Sequence, residues 1–354
     1  MVTPVPRLPL LLAGAVALVA GLAAGEARLG WALPVSFVHL HGPLMVCGFF
    51  GTVIGLERAV ALGRPWAFAA PFATGGGGLL LLGGAETAGA IMLTLGSAVF
   101  LAVALNVVRR QPEPFTRLLA LAALAWVAGN VLWASGAPVP EVVPAWAAFL
   151  VLTIAGERLE LSRFLKPWRW RNPTLALPIA LIGGGAALAA GGLPYAWTAF
   201  GAGCLTLVAW SLMNDVVRRT IRQTGLTRYV AVCLLSGYVW LGVAGLLAPA
   251  LDGGFDTAHY DAALHALFVG FVFAMVFGHA PVILPAVLKV KLPFRPLFYA
   301  PLALLHLSLA LRLAGDLSGA DPLRAWGGLL NGATILAFAA LVVTSIVSAK
   351  RQPR

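Results

Sequence analysis

Residues 87–108 read TAGAIMLTLGSAVFLAVALNVV, 22 residues without a charge, bracketed by Glu86 and by Arg109-Arg110. As a helix the run is about 33 Å long, the thickness of a bilayer's hydrocarbon core. Its apolar residues come in unbroken blocks, so it lacks the period-two alternation of a membrane β-barrel strand. Similar runs lie near 8–25, 35–56, 66–84, 87–108, 115–135, 142–160, 174–191, 193–213, 229–250, 261–288, 295–315 and 325–348, which makes twelve. The composition agrees: 60% of the 354 residues are hydrophobic, 10% are charged and mean hydropathy is +0.91. A soluble domain carries about 25% charged residues. The expected fold is all-α, a polytopic transmembrane bundle forming one domain over residues 1–354, with short loops and no separate soluble domain. The cysteines Cys47, Cys204 and Cys233 all sit in apolar segments, so no disulfide framework is expected.

Charge placement tests the count. The termini and alternate loops hold 21 of the 24 Lys and Arg, and the other side only Arg28, Arg312 and Arg324. By the positive-inside rule both termini are cytoplasmic. The net charge of +11 therefore reads as topology, and no basic stripe suggests a nucleic-acid partner. Leu8–Gly25 is expected to be a retained helix, with a signal peptide as the alternative. Trp31, Trp66, Trp133, Trp146 and Trp197 fall near span ends, as interfacial anchors do.

Polar residues inside a membrane are costly and mark function. No Asp or Glu falls near the middle of a span, which counts against an ion-coupled transporter. Asp215 is expected at a cytoplasmic end, and Asp261 and Asp316 at the opposite face. The six histidines are different. His259 reads as a solvated loop residue, but His39 and His41 open the second span, His265 and His279 lie in the tenth, and His306 lies in the eleventh.

At 1.5 Å per residue His279 is about 15 Å from Lys289, and His306 about 16 Å from Arg295, so the two share a central level. His265 is roughly 21 Å farther out and, on a regular helix, only about 40° away from His279. That defines an outer level with His39 or His41 plus His265, and a central one with His279 plus His306. Two imidazoles from different helices at one depth are what a b-type haem needs. The bland alternative is that each His hydrogen-bonds a backbone carbonyl or a neighbouring helix.

Copper is the second metal reading, with His39, His41, Met45 and His265 as ligands, since imidazole and thioether suit Cu(I). His39 and His41 converge only if the helix begins at Pro43; on an earlier start they point about 200° apart. Met45 and Met275 read equally well as core fillers. The glycine runs Gly75–Gly78 and Gly183–Gly185 do not fit a phosphate loop and suggest close helix packing or a break.

The segment Leu264-His265-Ala266-Leu267-Phe268-Val269-Gly270, followed by Met275, resembles the HALxVG…M segment of the NnrS family. Met45-Val46-Cys47-Gly48-Phe49 is similar to the end of that family's HxHxMxxGF pattern, with His41 at its first His and Pro43 in place of the second. The resemblance implies a twelve-helix protein of a bacterial inner membrane, associated with haem and copper and with nitric-oxide stress. A looser likeness is to the catalytic subunit of haem–copper oxidases. Such an enzyme, an oxidoreductase, needs an adjacent His-His pair, and this chain has none. The expected function is therefore haem binding, with or without copper, in electron transfer or nitric-oxide handling. The expected partners are the lipid bilayer and a redox protein or quinone. The alternative is a permease for a small solute, with histidines lining its path.

Overall fold

In the structure, a computed structural model, twelve helices are long and apolar enough to cross a membrane. They are α1 Arg7–Arg28, α2 Val38–Leu62, α3 Pro65–Leu82, α4 Glu86–Arg110, α5 Pro114–Ala134, α6 Val139–Ser162, α7 Arg171–Ala190, α8 Ala196–Asn214, α9 Gly225–Gly253, α10 Ala258–Leu288, α11 Pro296–Ser318 and α12 Asp321–Lys350. The residues described are 7–163, 165, 169–253 and 257–351, and every element among them is helical. Lys166, Asp256 and Arg354 lie outside them. The chain is a multi-pass membrane protein.

Burial is uneven. In α2, α6 and α10, 67%, 83% and 61% of the most apolar stretch is buried, more than in any other span. The histidine motifs of α2 and α10 therefore sit on two of the three best enclosed helices. Both helices are also irregular. Leu44–Phe50 in α2 and Ala266–Phe273 in α10 are π-helical, a conformation that is rare and concentrated at functional sites. A π stretch inserts about one extra residue, turning everything beyond it by on the order of 100°. His265 and His279 flank such a stretch, so the shared face expected from a regular helix is lost.

The chain divides into two compact units, Met1–Gly156 and Glu157–Arg354. In the first, glycines bring α1, α2 and α3 together: a Cβ on Gly75 would lie 3.0 Å from Ala13 Cβ, and one on Gly48 2.9 Å from Ala17 Cβ. Gly51 faces the Trp126 ring of α5 with no room for a side chain. Trp146 is not an interfacial anchor but fully buried, because Asn130 gives its N–H a partner inside the protein. Trp197 is buried as well. In the second unit Met275 fills a groove at Gly237 of α9, and Gly185 packs on the Phe200 backbone, whereas Gly183 and Gly184 face open space. His259, expected to be solvated, is half-buried at the start of α10.

Candidate functional site

In the first unit, α2 begins at Val38 and runs through Pro43, which decides the fate of its two histidines. His39 turns outward, and its Nε2 meets Glu86 Oε1 at 3.0 Å, the side chains being 59% and 52% exposed. His41 turns to α1, where Nδ1 lies 2.7 Å from the Gly21 carbonyl. The ring fits because residue 25 is glycine: a Cβ there would be 2.8 Å from Cε1. Met45, one turn on, lies against Gly21, so His41 and Met45 share the face that meets Gly21 and Gly25, one turn apart on α1. The helix start thus rules out convergence of His39 and His41 on one ion.

Below them is a buried polar knot. Cys47 Sγ donates to Asn130 Oδ1 at 3.1 Å and accepts from Trp126 Nε1 at 3.4 Å. Trp146 Nε1 donates to the same Asn130 oxygen at 2.9 Å, and Asn130 Nδ2 donates to the Leu93 carbonyl at 3.2 Å. Every side-chain polar atom of Asn130 is used, and the knot pins the π-helical part of α2 to α4, α5 and α6.

In the second unit, His265 Nδ1 lies 2.7 Å from the Asp261 carbonyl, and His279 Nδ1 lies 2.7 Å from the Met275 carbonyl. His306 is different. Trp240 Nε1 donates to its Nδ1 at 2.9 Å, and its buried Nε2 has no partner. Gly270 of the motif does not leave room for a planar cofactor as its size suggests, because a Cβ there would strike the Trp240 side chain. Ala262, Ala263 and Ala266 are likewise fully packed.

Two buried charge networks complete this unit. At one end Arg324 pairs with Asp261 through a hydrogen bond, and Arg312 Nη2 lies 3.8 Å from the same carboxylate. Asp316, whose side chain is fully buried, has Arg324 Nε at 2.9 Å and Arg312 Nε at 4.0 Å. Gly315 and Gly327 admit this approach, since a Cβ on either would strike the backbone of Arg324 or Arg312. Two of the three arginines that break the charge asymmetry are therefore neutralised inside the protein.

The other network is more enclosed than its place in the sequence implies. Arg158 grips Asp215 through Nε and Nη2, each at 2.7 Å, with the two side chains 4% and 0% exposed. Tyr238 donates to Asp215 Oδ2 at 2.5 Å and the Val217 N–H to Oδ1 at 2.9 Å. Asp215 stands at the end of α8, as expected, but it is buried and fully hydrogen-bonded there instead of solvated.

Sequence reasoning missed Asn130, Trp240 and Tyr238, whose roles depend on partners remote in the chain. The Gly21–Gly25 spacing was a legible signal for the seat of His41. His41 and His265 belong to different units. Among the described residues no group of three or more His, Cys, Asp or Glu could hold a metal ion.

A family model described as a domain of unknown function, DUF8744, matches residues 7–347, and the chain belongs to that family. No curated protein matches it.

Proposed function

We propose that this DUF8744 protein binds haem and serves electron transfer or nitric-oxide handling, with His41 in the first unit and His265 and His279 in the second as imidazoles offered to iron, each within its own unit. Trp240 closes the Gly270 side of α10, so the half-buried His265 ring would meet haem from another side. One observation supports the reading: each of the three has Nδ1 at 2.7 Å from a backbone carbonyl, which is also the contact expected of histidines that are only structural. A carbonyl only accepts, so Nδ1 carries a proton, and whenever the ring is neutral its lone pair is on Nε2. Metal-bound histidines are held in this way, the second N–H fixing both tautomer and ring orientation. His306 has the opposite tautomer: the indole only donates, so Nδ1 carries the lone pair and Nε2 the proton. It is therefore set aside as a ligand through Nε2, and His279 would need another partner. Bound haem would supply one-electron redox chemistry and a site for a diatomic gas; the chain's own part is to orient imidazoles. Copper would draw on His41 and Met45, which share one face.

The test is an absorption spectrum of the purified protein with and without dithionite. A Soret band that shifts on reduction is expected, weakened or moved in His41→Ala, His265→Ala or His279→Ala and unchanged in His39→Ala and His259→Ala. Protein made with haem precursor supplied yet lacking a Soret band would overturn the reading.

The embedded Arg158–Asp215–Tyr238 group favours a second reading, a permease. Its carboxylate already accepts four hydrogen bonds, which suits a fixed brace better than a shuttle. An ion gradient driving solute uptake into proteoliposomes, abolished by Asp215→Asn, would put that reading first.

A further inference from the structure

Acidic residues are missing from two long stretches of the second unit: none occurs between Asp215 and Asp252, or between Asp261 and Asp316. Basic residues crowd the same stretches. The α8–α9 connection and the start of α9 carry Arg218, Arg219, Arg222 and Arg228, all exposed. The α10–α11 connection carries Lys289, Lys291 and Arg295, also exposed. The two connections are neighbours. The Tyr229 ring, next to Arg228, packs on Phe294 at 5.5 Å, Phe298 at 6.0 Å and Tyr299 at 5.1 Å.

The first connection is anchored and not merely charged. Val217 is fully buried, and its N–H is held by Asp215, which Arg158 and Tyr238 fix in turn. The nearest carboxylate is thus fully used. Among the described residues, none of these seven cations has a carboxylate partner; Arg218 only reaches the Met213 carbonyl at 3.5 Å. Leu212, Met213 and Leu297, beside the charges, are exposed apolar side chains.

We propose that this end of the second unit binds acidic phospholipid headgroups, with Arg218, Arg219 and Arg222 on one side and Lys291 and Arg295 on the other taking the phosphate. Guanidinium groups pair with phosphate through two parallel hydrogen bonds, and basic clusters at a membrane surface select anionic lipid. The adjoining apolar residues fit acyl chains, which a soluble anion lacks, and the aromatic floor suits headgroup depth. The proposal does not depend on haem.

The test uses the full chain in detergent micelles, with phosphatidylglycerol or phosphatidylcholine added at equal mole fraction. Retained lipid is counted by native mass spectrometry. Wild-type protein should prefer phosphatidylglycerol by at least about tenfold, and R218Q/R219Q/R222Q should lose that preference. R28Q, far along the sequence in α1, should keep it. Should the triple variant not fold, K291Q/R295Q on the other connection should show a loss of about threefold or more. Excess inorganic phosphate should not compete, because it lacks the chains. Equal retention of the two lipids by wild-type protein would overturn the proposal. So would displacement of phosphatidylglycerol by inorganic phosphate or by heparin, which would mark a surface for free phosphate or for a soluble acidic partner.

Discussion

The indole N–H of Trp240 donates to Nδ1 of His306 at 2.9 Å, and the two rings lie 6.3 Å apart at 26°. The contact joins α9 to α11 over Gly270 of α10, so one hydrogen bond ties three helices and sets one histidine's tautomer. It also accounts for the glycine: a methyl group at residue 270 would displace the indole.

Trp240→Phe keeps an aromatic ring but removes the donor. It should cost about 1 kcal/mol, the size of a hydrogen bond inside a membrane protein. The check is the denaturant midpoint in mixed micelles; an unchanged midpoint would show that the bond contributes nothing.

Two glycines allow a matched comparison. Gly25→Val should destabilise the protein by about 1–3 kcal/mol, because the new side chain enters the space of His41. Gly183→Ala should be close to neutral, since nothing lies within 4 Å of its Cβ position. Thermal unfolding of the two variants side by side tests the packing, and equal shifts would contradict it.

Asp316→Asn should cost about 3 kcal/mol or more, by leaving buried arginine charge short of its counter-charge. Removing a whole pair, as in Arg312→Met with Asp316→Asn, should recover part of that loss, because no uncompensated charge is left. A double-mutant cycle on unfolding free energy measures the difference. Additive losses would mean that the two side chains do not act as a pair.

Both termini are expected on the cytoplasmic side. A reporter active only outside the cytoplasm, fused after Arg354, should be silent, and one inserted in the loop after α1 should be active. The reverse pattern would invert the topology.

Sequence alone determined the twelve runs that the described residues fold into helices long and apolar enough to cross a membrane, because hydrophobic length is a local property and needs no knowledge of neighbours. It also singled out His39, His41, His265, His279 and His306, since an imidazole in an apolar run stands out wherever it lies. Tertiary structure decided the rest. The π-helical stretches changed the phase along α2 and α10, and no periodicity in the residues signalled it. Partners for His306, Asn130 and Asp215 come from helices 16 to 83 positions away in sequence, and only the packing brings them within bonding distance. Arg312 and Arg324 looked like exceptions to a charge rule. In the folded protein they are the counter-ions of Asp261 and Asp316, because a low-dielectric interior leaves a buried charge no cheaper course than to pair.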